Sequence, residues 1–155
     1  MTLNAAIPPD YLSIVTGIYN LLQNKWRTSE FDIEYKFHLK CLRSSNQYLQ
    51  FRPLVGALMT LKGSKYVYVG INFDLLFFDR VLFAPGFAAG YFMRGDGRDL
   101  GYPIEFRSGA ELGWQFDDKS RLGIHFYHLS NASIGKRNPG EESFVIFYDI
   151  PLIIP

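Results

Sequence analysis

From Ile104 to Phe116 the side chains alternate with a period of two, and this alternation constrains the fold more than any other feature. The even positions are Ile104, Phe106, Ser108, Ala110, Leu112, Trp114 and Phe116, and the odd ones Glu105, Arg107, Gly109, Glu111, Gly113 and Gln115. A strand sends successive side chains to opposite faces, so this stretch reads as a strand with one apolar and one polar face. Phe31, Ile33, Tyr35, Phe37 and Leu39 repeat the pattern against Glu30, Asp32, Glu34, Lys36, His38 and Lys40. Val67, Val69, Ile71, Phe73 and Leu75 repeat it against Tyr66, Tyr68, Gly70, Asn72 and Asp74. Between 81 and 93 the inner parity is small: Ala84, Gly86, Ala88 and Gly90.

Weaker alternation marks strands near 11–20, 48–61, 121–131 and 143–152. The total is about eight strands of roughly 9–15 residues, within the range of a small barrel. Short connections are expected at Arg43 to Gln47, Phe77 to Arg80 and Asp117 to Ser120. Longer ones run from Asn20 to Glu30, Met93 to Gly101 and Ala132 to Glu142, with Lys62-Gly63-Ser64 the short exception. Tight turns at one end and loops at the other are what an up-and-down barrel requires. The expected fold is all-β: an eight-stranded antiparallel transmembrane barrel of the outer-membrane type, in a single domain over 1–155.

Composition narrows the classes. With 48% hydrophobic and 17% aromatic residues the chain is not disordered. Lys+Arg 16 against Asp+Glu 15 gives a net charge of +1, which does not suggest a nucleic-acid partner. One cysteine, Cys41 at an expected short turn, leaves no disulfide scaffold or cysteine metal cluster. No apolar run reaches the roughly 18 residues of a membrane-spanning helix. Alternation averages hydropathy toward zero, and the mean hydropathy is -0.02. Residues 1–22 lack a basic n-region and cleavage site, so they read as mature protein.

The orientation of the faces separates a membrane barrel from a lipocalin-like soluble one. About eight strands enclose little more than side chains. Bulky Phe, Leu, Ile and Trp fill that space badly, whereas small residues and mutually paired charges fill it well. The apolar parity is therefore expected to face lipid, and closure satisfies every backbone group without water. Tyr11, Tyr48, Tyr102 and Trp114 are candidates for interface girdles.

His128 and Ser130 share this outward parity, roughly 6.5–7 Å apart at Cα. Glu142 shares it on the next strand, with Phe144, Ile146 and Tyr148. A hydroxyl, an imidazole and a carboxyl are the minimum for nucleophilic acyl transfer. Ionisable groups on a lipid-facing wall are costly and point to function. The plainer alternative is that Ser130-Asn131 merely begins a turn. Glu141 is the competing carboxylate, and parity favours Glu142. Arg94-Gly95-Asp96 reads as a loop turn, Asp96 and Asp99 are too few for a calcium loop, and His38 and His125 have inward parity.

His128-Leu129-Ser130-Asn131-Ala132, followed by Asn138-Pro139-Gly140-Glu141-Glu142, resembles the active-site signature of PagL-type lipid A 3-O-deacylases. Arg94 to Gly101 and Ile104 to Gly109 are also similar to that family, whose members are outer-membrane enzymes of Gram-negative bacteria. The resemblance implies an esterase that removes the 3-O-linked hydroxyacyl chain of lipid A, without metal or cofactor. It implies Ser130 as nucleophile, His128 as base and Glu142 as orienting acid on the outer barrel surface. The oxyanion donor is expected from Asn138 first, Asn131 second, or a backbone N–H near Ala132. Phe126 and Phe144 are candidates for acyl-chain contact, Lys136 and Arg137 for the lipid A phosphates. Expected partners are lipopolysaccharide and outer-membrane lipid, with a homodimer left open. The alternatives are a non-enzymatic structural or adhesive barrel and a phospholipid acyl hydrolase. The ending Leu152-Ile153-Ile154-Pro155 departs from the terminal aromatic of many outer-membrane barrels.

Overall fold

A computed structural model describes residues 8–39 and 49–152. Eight strands follow one another: β1 (Asp10–Tyr19), β2 (Thr28–Lys36), β3 (Leu49–Thr60), β4 (Lys65–Phe77), β5 (Val81–Met93), β6 (Ile104–Gln115), β7 (Arg121–Ser130) and β8 (Glu141–Leu152). Each pairs antiparallel with its neighbour, and β1 pairs with β8 to close the barrel. The alternating segments became strands within a few residues of expectation. The largest shift is β2, which starts at Thr28 and ends at Lys36. Cys41, Tyr48 and the expected turn from Arg43 to Gln47 lie outside the described residues.

Parity sorts the side chains as the volume argument requires. Ile14, Ile33, Val69, Phe87, Leu112 and Ile146 stand exposed on the outer wall. The lumen holds the charges. Near one end the Lys36 ammonium donates to Glu111 and Asp149, and Arg52 and Arg121 converge on Asp74. Higher up Arg107 pairs with Glu34. Removing one partner from such a buried pair costs about 3–5 kcal/mol. Nearer the other end the carboxyl of Glu30 accepts from Tyr127, and the Ser143 hydroxyl lies between Glu30 and Glu141, 3.2 and 3.0 Å away; none of Glu30, Glu105 and Glu141 is ion-paired among the described residues.

Small residues make room for rings. Tyr68 stands between Gly56 and Gly90 on the flanking strands, and a Cβ at Gly56 would lie 2.4 Å from its ring. Tyr11, expected in a girdle, is instead buried in the lumen beneath Arg52 and Arg121. Its register partner is the inward Lys36, so strand parity overrides its position at the strand end. Trp114 and Tyr102 are exposed as expected. His125 is buried in the lumen. His38 lies past the end of β2, where its backbone N–H donates to Asp10.

The two ends differ. At one end β1–β2, β3–β4, β5–β6 and β7–β8 are joined by loops 20–27, 61–64, 94–103 and 131–140. At the other, described connections 78–80 and 116–120 are tight turns. Ser130 and Glu141 mark the loop end of β7 and β8.

Candidate active site

The β7–β8 register sets His128 opposite Glu142 and Phe126 opposite Phe144. All four side chains point outward. His128 Nδ1 lies 3.1 Å from Glu142 Oε1, with the side chains 40% and 27% exposed. Ser130 follows on the same face, at the last residue of β7 and opposite Phe106. No hydrogen bond joins Ser130 to His128 among the described residues; such contacts often tighten only when substrate binds. Glu141 takes the opposite direction, into the lumen, as parity requires.

A glycine backs the imidazole. Gly140 has φ 60°, and a Cβ there would lie 2.6 Å from His128 Cε1 and 3.1 Å from Nε2. The third residue of the Asn-Pro-Gly run thus has both a left-handed backbone and a close approach to satisfy.

Just after Ser130 the chain passes through two consecutive left-handed residues, Ala132 (φ 51°) and Ser133 (φ 63°). Such conformations cost on the order of 1–3 kcal/mol each and persist only where surroundings impose them. Asn131 imposes them. Its buried side chain accepts the Ser133 N–H at 3.0 Å and donates to the carbonyls of Leu100 (2.9 Å) and Arg137 (2.8 Å). Its backbone N–H donates to Asn138 Oδ1 at 2.9 Å. Asn131 is therefore a brace between loops, with its donors already engaged. Asn138 is exposed, and among the described residues its Nδ2 reaches only Ser133 Oγ, at 3.5 Å. That amide keeps spare donor capacity.

Lys136 is exposed and forms no ion pair among the described residues. Arg137 pairs with Asp99 across two loops. The Gly101 N–H, with the Arg137 guanidinium beside it, holds the Asp99 carboxyl below the usual aspartate range. Among the described residues no cluster of three or more His, Cys, Asp or Glu side chains could hold a metal ion.

The wall below His128 carries features that strand periodicity did not single out. Across β6 the small Ser108 and Ala110 stand opposite His128 and Phe126. On their far side, on β5, stand Phe87 and Pro85, and Phe87 stacks at 5.8 Å on Phe106, which closes the loop end of the same β6 row. A short strip of small residues thus runs below Phe106, between Phe87 on β5 and the Phe126–Phe144 pair on β7 and β8. Ser108 and Ala110 were visible only as polar or small breaks in an apolar row; the register gives them their neighbours.

Comparison with known proteins identifies the fold and the family. Residues 15–151 match the family described as lipid A 3-O-deacylase (PagL). A lipid A deacylase PagL of Pseudomonas aeruginosa is 33% identical over 55 residues, which cover 36% of this chain and about a third (32%) of that relative's length. The crystal structure of the outer membrane enzyme PagL superposes with a TM-score of 0.75 at 18% identity, over 92% of this chain and 99% of that one. The Yersinia pestis outer membrane protein Ail, in a phospholipid bilayer nanodisc, superposes at 0.54 with 11% identity, over the same shares. The barrel is thus common to proteins that share little sequence, while the family match spans β1 to β8. The chain is an outer-membrane β-barrel and belongs to the lipid A 3-O-deacylase (PagL) family.

Proposed function

We propose that this protein hydrolyses the 3-O-linked hydroxyacyl ester of lipid A with Ser130, His128 and Glu142, on the lipid-facing wall near the loop end. The observation that carries the reading is the His128–Glu142 contact on an otherwise apolar exterior, with Ser130 two residues along the same face. A carboxylate that accepts the Nδ1 hydrogen leaves Nε2 as the proton acceptor, the tautomer a general base needs. Ser130 Oγ attacks the ester carbonyl while Nε2 takes its proton. The tetrahedral intermediate collapses to an acyl-enzyme, and the imidazolium returns the proton to the departing sugar hydroxyl. Water then attacks with the same base, releasing the 3-hydroxy fatty acid. Asn138 Nδ2 is the oxyanion donor we favour, because Asn131 has spent its own on the loops. Such a donor is worth about 2.7–4 kcal/mol of barrier.

The acyl chain lies along the strip over Ser108 and Ala110, flanked by Phe126 and Phe144. Lateral diffusion in the membrane then delivers the substrate, and the wall supplies chain affinity. The test is the mass of lipid A from cells expressing the protein. Loss of one hydroxyacyl group is expected with the wild type and not with Ser130→Ala or His128→Ala, whose barrels still fold. Deacylation persisting in Ser130→Ala removes it as nucleophile. Glycerophospholipid turnover by the same preparation, at a rate equal to lipid A, would place the substrate elsewhere.

A further inference from the structure

The four loops at the catalytic end carry a charge excess that the net charge of +1 conceals. Lys25 and Arg27 lie in the first loop and Lys62 in the second. Arg94 and Arg98 lie in the third, Lys136 and Arg137 in the fourth. Against these seven cations stand only Asp96 and Asp99. The offsetting carboxylates are largely inside the barrel, out of contact with solvent.

Three of these loops enclose a cleft of about 530 Å3, lined by Gln23, Trp26, Arg98, Asp99, Arg137, Asn138 and Pro139. Within it Asp99 neutralises Arg137, while Arg98 has no ion pair among the described residues. Arg98 is held by neutral acceptors: Asn20 Oδ1 at 3.4 Å and, with its amide oxygen turned inward, Gln23 at 3.0 Å. The cleft lining therefore keeps Arg98 as a cation in excess, beside an indole whose ring carries the Lys25 and Lys62 ammonium groups at 4.9 and 5.6 Å, and the Asn131 bonds tie the third loop to the fourth. It also touches the reaction site, since Asn138 lines it and accepts the N–H of the residue following Ser130.

We infer that this cleft binds a phosphomonoester-bearing sugar, the headgroup end of the amphipathic substrate, with Arg98 on the phosphate and the Lys25 and Lys62 ammonium groups over Trp26 beside it. Guanidinium and phosphate make short charge-assisted bonds, and the two ammonium groups over Trp26 add to the positive field there. The inference rests on the reading of Ser130 as nucleophile on the adjoining wall. It assigns recognition to Arg98 rather than to Lys136, which lies outside the cleft lining.

Binding tests it without any turnover. The protein has two tryptophans, Trp26 and Trp114, so the Trp114→Phe variant in detergent reports on the cleft through Trp26 fluorescence alone. The probe is the fully deacylated, bisphosphorylated glucosamine disaccharide. Saturable binding is expected, weakened about tenfold or more by Arg98→Gln and partly restored by Arg98→Lys. The unphosphorylated disaccharide should bind at least about tenfold more weakly. Inorganic phosphate binding as tightly as the probe would make this a free-phosphate site and overturn the headgroup assignment. Absence of binding, or equal binding of the neutral disaccharide, overturns the inference outright. None of these outcomes depends on ester hydrolysis, whereas deacylation surviving Ser130→Ala would defeat the catalytic reading and leave the binding result standing.

Discussion

Glu141 and Glu142 are neighbours in the chain on opposite sides of the barrel wall. Glu141 points into the lumen, where its carboxyl accepts the Asn20 N–H and the Ser143 hydroxyl at 3.0 Å each. Glu142 points outward and meets His128. The histidines of β7 divide the same way: His125 packs against Tyr127 inside the barrel, His128 stands on the outer wall. Identical side chains a few ångströms apart thus receive different surroundings from parity alone. The inner carboxylate anchors the first loop, helped by the bond from Leu21 N to the Glu142 carbonyl. The outer one lies 3.1 Å from an imidazole nitrogen. A strand wall only one residue thick lets structure and chemistry sit back to back.

Substituting the two glutamates separately gives the largest expected contrast. Glu142→Gln should lower deacylation on the order of 1,000-fold, since it disturbs the imidazole's tautomer and orientation, with little change in unfolding. Glu141→Ala should do the reverse. It strands a buried N–H at Asn20, which costs about 1–3 kcal/mol, lowers the unfolding midpoint and takes only a few-fold from activity. Rates from purified folded protein beside denaturation curves check both. Equal activity losses would mean that the wall does not separate the two roles.

Much of this contrast was legible in the sequence. Period-two alternation placed the strands, and parity alone put Glu142 outside and Glu141 inside, because which face a side chain takes follows from the backbone. What stayed hidden depends on register and on loops. Ser108 and Ala110 acquire meaning only from standing opposite His128 and Phe126. Asn131 looked like an oxyanion candidate, but its amide is claimed by carbonyls at positions 100 and 137, which no local pattern connects. Arg98, Gln23 and Trp26 meet only once the barrel closes.

A smaller effect probes how tightly the outer site is held. Gly140→Ala introduces a left-handed alanine and a methyl group 2.6 Å from the His128 ring. Gly63→Ala introduces the same backbone strain, φ 77°, with nothing within 4 Å. Both should lose about 1 kcal/mol of stability. Only Gly140→Ala should lose activity, about 10- to 100-fold, because the imidazole must move. Kinetics on the two variants side by side decide it; a matching loss in Gly63→Ala would trace the effect to strain rather than to the ring.

The smallest effect contrasts an inner loop anchor with an outer one. Glu141 holds the first loop from inside the barrel, whereas Asp99, at the exposed rim, joins the third loop to the fourth through Gly101 and Arg137. Asp99 titrates below its unfolded value in the folded protein. Its contribution is therefore complete above the ordinary aspartate value of about 3.9, and is lost as pH falls through the lower folded value. Exposed pairs are weak and screened, so protection of the Gly101 amide from hydrogen exchange should drop only a few-fold on that acid limb. Asp99→Asn should flatten the acid limb. Raising salt from about 0.1 to 1 M shortens the screening length from about 10 to 3 Å. That should loosen the Arg137 tie while leaving the Asn20 amide, bonded in the barrel interior, unaffected. Salt acting equally on both amides would show that the inner anchor is as wet as the outer one.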